Sequence, residues 1–130
     1  MPRLEHVALW TTDIGRLCDF YVRYFGARPG APYRNPARGF ESRFLSFDDG
    51  ARLEVMHREG LALVTPVPGA ERHGLTHVAI SLGSEARVDA LAGALRADGH
   101  AVLDGPRRTG DGYYEAVVLD PDGNRVEITA

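Results

Sequence analysis

Two histidines and two glutamates are placed in this sequence as metal ligands would be. His6 opens a His-Val-Ala-Leu run and His77 a His-Val-Ala-Ile run, an offset of 77 − 6 = 71 residues. Glu54 lies in Asp-Gly-Ala-Arg-Leu-Glu-Val and Glu127 in Asp-Gly-Asn-Arg-Val-Glu-Ile, runs that begin 122 − 49 = 73 residues apart. The His-to-Glu separations are 54 − 6 = 48 and 127 − 77 = 50. Two matched segments at nearly one offset indicate two copies of one unit. Two carboxylates gathered in a half-buried cleft repel one another. One divalent cation removes that conflict, because two neutral imidazoles, two carboxylates and one M²⁺ sum to zero charge. A mixed imidazole and carboxylate set suits nickel, zinc, cobalt, manganese or iron, whereas magnesium and calcium favour oxygen alone. Four protein ligands would close a tetrahedral zinc site of the structural kind. An ion that accepts six ligands would keep two positions for water or for two substrate oxygens. The competing expectation is that duplication alone explains the pattern, leaving two partly buried His–Glu ion pairs.

The elements that must position these residues follow from periodicity. Residues 4–10 read as a strand, and Thr12 or Asp13 is a good N-cap for the helix after it. Ile14, Leu17, Cys18, Tyr21 and Phe25 recur at helical spacing, and Gly26 ends the run. Three strands are expected at 27–33, 40–47 and 52–58, the last two joined through Asp48-Asp49-Gly50. Residues 59–74, with two prolines and three glycines, read as a linker. The second copy repeats the order: a strand at 75–82, a helix at 85–98 with Val88, Leu91, Ala92 and Leu95 on one face, and strands at 101–103, 113–119 and 125–129. Asp120-Pro121-Asp122-Gly123 has the wrong spacing for a calcium loop, which needs glycine sixth and glutamate twelfth, and reads as a turn. Strand alternation sets Val7 and Leu9 against His6, and Leu53 and Val55 against Glu54. It likewise sets Val78 and Ile80 against His77, and Val126 and Ile128 against Glu127. The expected fold is therefore α+β: one domain over residues 1–130, built from repeats 4–58 and 75–130. These two tandem βαβββ modules would form a curved mixed sheet around a metal cleft.

Bulk properties narrow the function. At 130 residues, with 44% hydrophobic and 25% charged residues, the chain can bury a core without staples. A net charge of −3 with no basic run argues against nucleic-acid binding. Every basic residue is arginine, which identifies no site. The single cysteine, Cys18, falls on the helix core stripe and implies a reduced compartment. No membrane span or leader segment is legible, so a cytoplasmic protein with a small-molecule substrate is expected. His57, His73 and His100 are expected to be solvated rather than ligands. Tyr113, Tyr114, Phe40 and Phe44 are expected in the core rather than in a pocket, and Arg107 and Arg108 as solvated loop charges.

At His6-Val-Ala, Glu54, His77-Val-Ala and the run from Asp120 to Glu127, the chain resembles the vicinal oxygen chelate superfamily. That group includes glyoxalase I, fosfomycin-modifying enzymes, extradiol dioxygenases, methylmalonyl-CoA epimerase and bleomycin-binding proteins. The resemblance spans residues 4–129. A His, Glu, His, Glu set is similar to that of bacterial-type glyoxalase I. The fosfomycin and dioxygenase members lack the glutamate at position 54, and the epimerases usually carry glutamine there. The resemblance implies a metal-dependent lyase or isomerase acting on a substrate with two adjacent oxygens, such as a hemithioacetal. Glu127 would move a proton between the two carbons through an enediolate. It further implies a homodimer, since many relatives build their sites across a subunit interface. Glutathione-using relatives carry arginine and asparagine where this chain has Trp10 and Arg58. These two residues are thus expected to contact a different substrate. The alternatives are a thiol transferase or dioxygenase of the same superfamily, or a non-catalytic dimer that sequesters a planar or cationic drug.

Overall fold

The computed structural model describes residues 1–64, 67 and 70–130, so the expected 59–74 linker lies partly outside the described residues. The chain divides into two compact units, Met1–Val64 and Thr65–Ala130, which match the two sequence repeats.

In the first unit, β1 (His6–Trp10) leads into α1 (Ile14–Phe25). Asp13 caps this helix by accepting a hydrogen bond from the Arg16 amide at 3.0 Å. Gly26, at φ 65°, closes it in the left-handed conformation that glycine adopts without steric cost. Leu17, Cys18, Phe20 and Tyr21 are buried on its inner face. Burial raises the Cys18 thiol above its ordinary pKa, as expected for a cysteine used as a small hydrophobe. The segment read as one strand over 27–33 is instead two short strands, β2 (Arg28–Pro29) and β3 (Tyr33–Asn35). Both lie antiparallel to β4 (Phe40–Ser46). The break follows from Pro29-Gly30-Ala31-Pro32, where two prolines remove ladder donors. β4 pairs antiparallel with β5 (Arg52–Arg58), and β5 pairs parallel with β1, giving the order β1-β5-β4-β2.

The second unit repeats this plan with β6 (His77–Ser81), α2 (Glu85–Ala97), β7 (Val102–Arg108), β8 (Tyr114–Leu119) and β9 (Arg125–Thr129). Its sheet runs β6-β9-β8-β7, again with one parallel pair, β6 with β9. Ser84 caps α2 by accepting from the Arg87 amide at 3.3 Å. The turn at Asp120–Gly123 is confirmed, with the Gly123 amide donating to the Asp120 carbonyl at 3.0 Å. Asp120 also accepts from the amides of Asp122 and Asn124 at 3.0 and 2.9 Å. β7 is much longer than the expected 101–103 segment. It continues through register shifts at Asp104 and beyond, so Arg107 and Arg108 lie on a strand and not in a loop. Gly105 and Pro106 hid this continuation, since both weaken an interior strand in a sequence reading.

Gly105 has a definite reason to be glycine. Its φ is 78°, and a Cβ there would lie 2.6 Å from the Glu115 carbonyl oxygen and 3.1 Å from the Ala116 Cα. Gly105→Ala is therefore expected to lower stability by about 1–3 kcal/mol through backbone strain and close approach. Urea midpoints measure this, and a shift worth less than about 0.5 kcal/mol would show that β7 relaxes freely.

The cores follow the expected alternation. Leu45, Leu53 and Val55 are buried in the first unit, as are Leu17 and Tyr21 on the helix that packs on β4 and β5. Val118, Val126 and Ile128 are buried in the second, as are Val88, Ala92 and Leu95 on the helix that packs on β8 and β9. Each of the Val, Leu and Ile side chains among them contributes roughly 1.5–3 kcal/mol on burial. Val7, Leu9, Val78 and Ile80, which the pattern also sets on the helix face, are only half-buried. β1 and β6 are the end strands of their sheets, where one flank lacks a neighbour.

Candidate metal centre

The two repeats place their His and Glu by the same register. In the first, His6 lies opposite Arg52 and Ala8 opposite Glu54; in the second, His77 lies opposite Arg125 and Ala79 opposite Glu127. Each glutamate is thus a diagonal neighbour of its histidine across a parallel pair, on the sheet face turned away from the helix. Long side chains reach across such a diagonal. His6 Nε2 stands 3.7 Å from Glu54 Oε1, and His77 Nε2 stands 3.1 Å from Glu127 Oε2. All four side chains are partly exposed, the glutamates less than the histidines. The structure forms two His–Glu pairs, one within each unit. Among the described residues no three or more His, Cys, Asp or Glu side chains are gathered into a metal-binding group.

The surroundings of His6 fit a ligand role. Its Nδ1 is hydrogen-bonded to Glu5, and Glu5 also accepts from Arg52 Nε at 2.8 Å. The His6 hydrogen bond is the main reason that the Glu5 carboxyl is held below its usual range, with Arg52 adding to it. A carboxylate at Nδ1 fixes the neutral ring as the tautomer whose Nε2 carries a lone pair, the arrangement that metal-bound histidines use. That lone pair then faces a carboxylate oxygen at a separation too long for a hydrogen bond. A divalent cation between the two would satisfy both, as would a proton on Nε2. The ring is further fixed by Phe44, whose centroid lies 5.3 Å away in an edge-to-face contact. The His77–Glu127 pair is closer and has the separation of an ordinary His–Glu ion pair. A set of two imidazoles and two carboxylates fits a divalent ion that takes nitrogen and oxygen donors.

Glu115 was not anticipated as part of the site. It lies on β8 opposite Thr129 and points to the same face as Glu127. Its carboxyl is pushed up to about 7, first by a hydrogen bond with Glu127, then by burial and by the Glu127 charge. Strand alternation over 114–119 contains this information, but only once the β8–β9 register is known. Arg107 pairs with Asp104 at 2.8 Å and lies opposite Glu115, which brings a guanidinium beside the two glutamates.

The remaining expectations divide. Trp10 and Arg58 lie at the far end of the face that carries His6 and Glu54, with the Arg58 guanidinium 5.2 Å from the indole centroid. His57 is partly exposed, and its ring Nδ1 hydrogen-bonds to the Thr11 carbonyl at 3.0 Å, which ties β5 to the turn before α1. His73 is exposed and His100 half-buried. Phe40 and Phe44 line the open face instead of the core, Tyr113 is exposed, and the Tyr114 hydroxyl is hydrogen-bonded to Asp89. No helix among the described residues is long and apolar enough to cross a membrane.

A comparison with solved structures finds the same fold in several glyoxalases. The glyoxalase I of Leishmania major, described as trypanothione-dependent, is 20% identical over 99% of this chain and 86% of its own, with a TM-score of 0.78. A glyoxylase/bleomycin resistance protein/dioxygenase domain from Frankia sp. EAN1pec is 18% identical over 99% of this chain and 97% of its own, with a TM-score of 0.82. Glyoxalase I from Zea mays is 23% identical with a TM-score of 0.78, and the match covers 98% of this chain but only 44% of the maize enzyme. No curated protein matches the sequence. The family model of the Glyoxalase/Bleomycin resistance protein/Dioxygenase superfamily matches residues 3–128. With that match over nearly its whole length, and with two βαβββ modules carrying equivalent His–Glu pairs, the chain belongs to the glyoxalase/bleomycin resistance/dioxygenase superfamily.

Proposed function

We propose that this protein is a metal-dependent lyase or isomerase of the glyoxalase I type, acting on a small substrate with two adjacent oxygens. The supporting observation is the repeated pair: in both units a histidine Nε2 is turned toward a glutamate oxygen from the same register position. His6, Glu54, His77 and Glu127 would hold one divalent ion, one pair from each repeat. When bound, the ion would act as a Lewis acid toward the two substrate oxygens and favour the enediolate.

The chain's own residues supply the rest. Glu5 orients His6 and keeps its Nε2 available. Glu127 takes a proton from one substrate carbon and returns it to the next, as a general base and then acid. Glu115, whose carboxyl is raised chiefly by its interaction with Glu127, stands beside that base on the same sheet face. A second copy of the chain as partner, forming a homodimer, and a cytoplasmic location belong to the same proposal. A drug-sequestering dimer is the weaker reading, because an open binding cleft has no need of a His–Glu pair in each repeat.

The thiol is a separate matter. Trp10 and Arg58 replace the arginine and asparagine of glutathione-using relatives, so the guanidinium stands at the other of the two positions and an indole takes its former place. Catalytic efficiency with the glutathione hemithioacetal is therefore expected to fall below the ~10⁴–10⁸ M⁻¹s⁻¹ typical of enzymes on their own substrates. Steady-state assays on metal-loaded protein, with hemithioacetals of several thiols, test the reading. Turnover of none of them would remove the glyoxalase-type assignment, and full efficiency with glutathione would show that these two replacements carry no specificity.

A further inference from the structure

We propose that the open sheet face of the first unit carries a subsite for a planar aromatic carboxylate, its ring held by Trp10, Tyr33 and Phe40 and its carboxylate by Arg58. Trp10 on β1 and Arg58 on β5 share the face of His6 and Glu54, and Phe40 on β4 is the register partner of Arg58. The Trp10 and Phe40 rings meet at 88° with centroids 6.2 Å apart, and Tyr33 lies 6.1 Å from Phe40. Rings set this way form a corner that offers both an edge and a face. A further aromatic ring satisfies both, since edge-to-face and offset contacts are the favoured geometries. Trp10 is 42% exposed and Tyr33 55% exposed, so the corner is open to a ligand in this chain.

Arg58 supplies the charge selectivity. The Arg58 guanidinium carbon lies over the indole at 5.2 Å from its centroid, and a cation held by a ring face in this way keeps N–H donors that a carboxylate can take in pairs. Among the described residues Arg58 has no carboxylate partner. Arg52, the other guanidinium stacked on a ring of this face, lies 4.0 Å from the Phe44 centroid and is paired with Glu5. The feature also belongs to one repeat only: the residue 71 positions after Trp10 is Ser81. Duplication therefore explains the His–Glu pairs but not this platform.

Trp10 follows His6 by four residues, and Arg58 follows Glu54 by four, so platform and pair are about 13 Å apart along the strands. An aryl carboxylate here would be the far arm of a substrate whose oxygens lie at the metal. That last step rests on the proposed function; the platform itself does not.

Trp10 is the single tryptophan, so ¹⁵N-labelled protein gives one indole N–H signal that reports on the platform directly. Titration with benzoate is expected to move that signal saturably in the low millimolar range. Benzamide, which lacks the charge, and cyclohexanecarboxylate, which lacks the ring, should each bind at least about tenfold more weakly. Arg58→Gln should reduce benzoate to the level of benzamide, while chelating all metal should leave benzoate binding unchanged. Loss of hemithioacetal turnover with benzoate binding intact would count against the proposed function alone. Equal binding of the three probes, no saturation, or an unchanged benzoate preference in Arg58→Gln would overturn the subsite. So would an indole signal that shifts with protein concentration and is insensitive to benzoate, because a second copy would then occupy the face.

Discussion

Glu127→Gln is expected to slow proton exchange at the substrate carbon by about 10²–10⁴, the usual cost of losing a general base. That corresponds to about 3–5 kcal/mol of transition-state stabilisation. The change keeps the side-chain shape and one oxygen donor but removes the basicity. Metal binding should persist when the ion is supplied in excess, because the amide oxygen remains a donor. The fold should persist as well, since Glu127 lies on the face of β9 opposite the buried Val126 and Ile128. Solvent deuterium incorporation, followed by NMR on metal-saturated protein, separates base from ligand. Exchange within a few-fold of wild type would reduce Glu127 to a ligand and make Glu54 the first alternative for the proton.

Glu54→Ala combined with His77→Ala, one ligand from each repeat, is expected to abolish stoichiometric metal. Wild-type protein should hold about one divalent ion per set of four ligands, and the double variant less than about a tenth of that after dialysis. Half the donors are gone, and the remaining imidazole and carboxylate come from different repeats. Elemental analysis gives the stoichiometry, and far-UV circular dichroism checks that the partly exposed substitutions leave the sheets intact. Full occupancy in the double variant would dismantle the quartet and favour two ordinary His–Glu ion pairs.

The two His–Glu pairs were legible in the sequence because duplication writes the same short run twice, and because strand alternation fixes which side chain shares a face with which. The helices were legible for a similar reason. Leu17, Cys18 and Tyr21 in α1 and Val88, Ala92 and Leu95 in α2 repeat at helical spacing and are buried as that spacing requires. The β2–β3 break and the long β7 were not legible. Proline and glycine mark both segments, and local preference cannot distinguish a strand that ends from one that bends and continues. Phe40 and Phe44 were misassigned to the core. Aromatic residues suit either face of a strand, and only the pairing with Arg58 and Glu54 shows which face they take.

The sequence alone determined which residue types recur, in what order, and which neighbours share a face in the strands that carry the His and Glu runs. Those properties are local, set by the period of the backbone and by the repeat. Tertiary structure decided what meets what. It brought Glu5 to His6 Nδ1, Glu115 to Glu127, and Arg58 over Trp10. Two of those contacts, Glu115 with Glu127 and Arg58 with Trp10, join residues on different strands, and even Glu5 takes its place through Arg52 across the sheet. Strand register is fixed by packing and hydrogen bonding between segments far apart in the chain, and a slip of one residue would turn every one of these side chains to the opposite face.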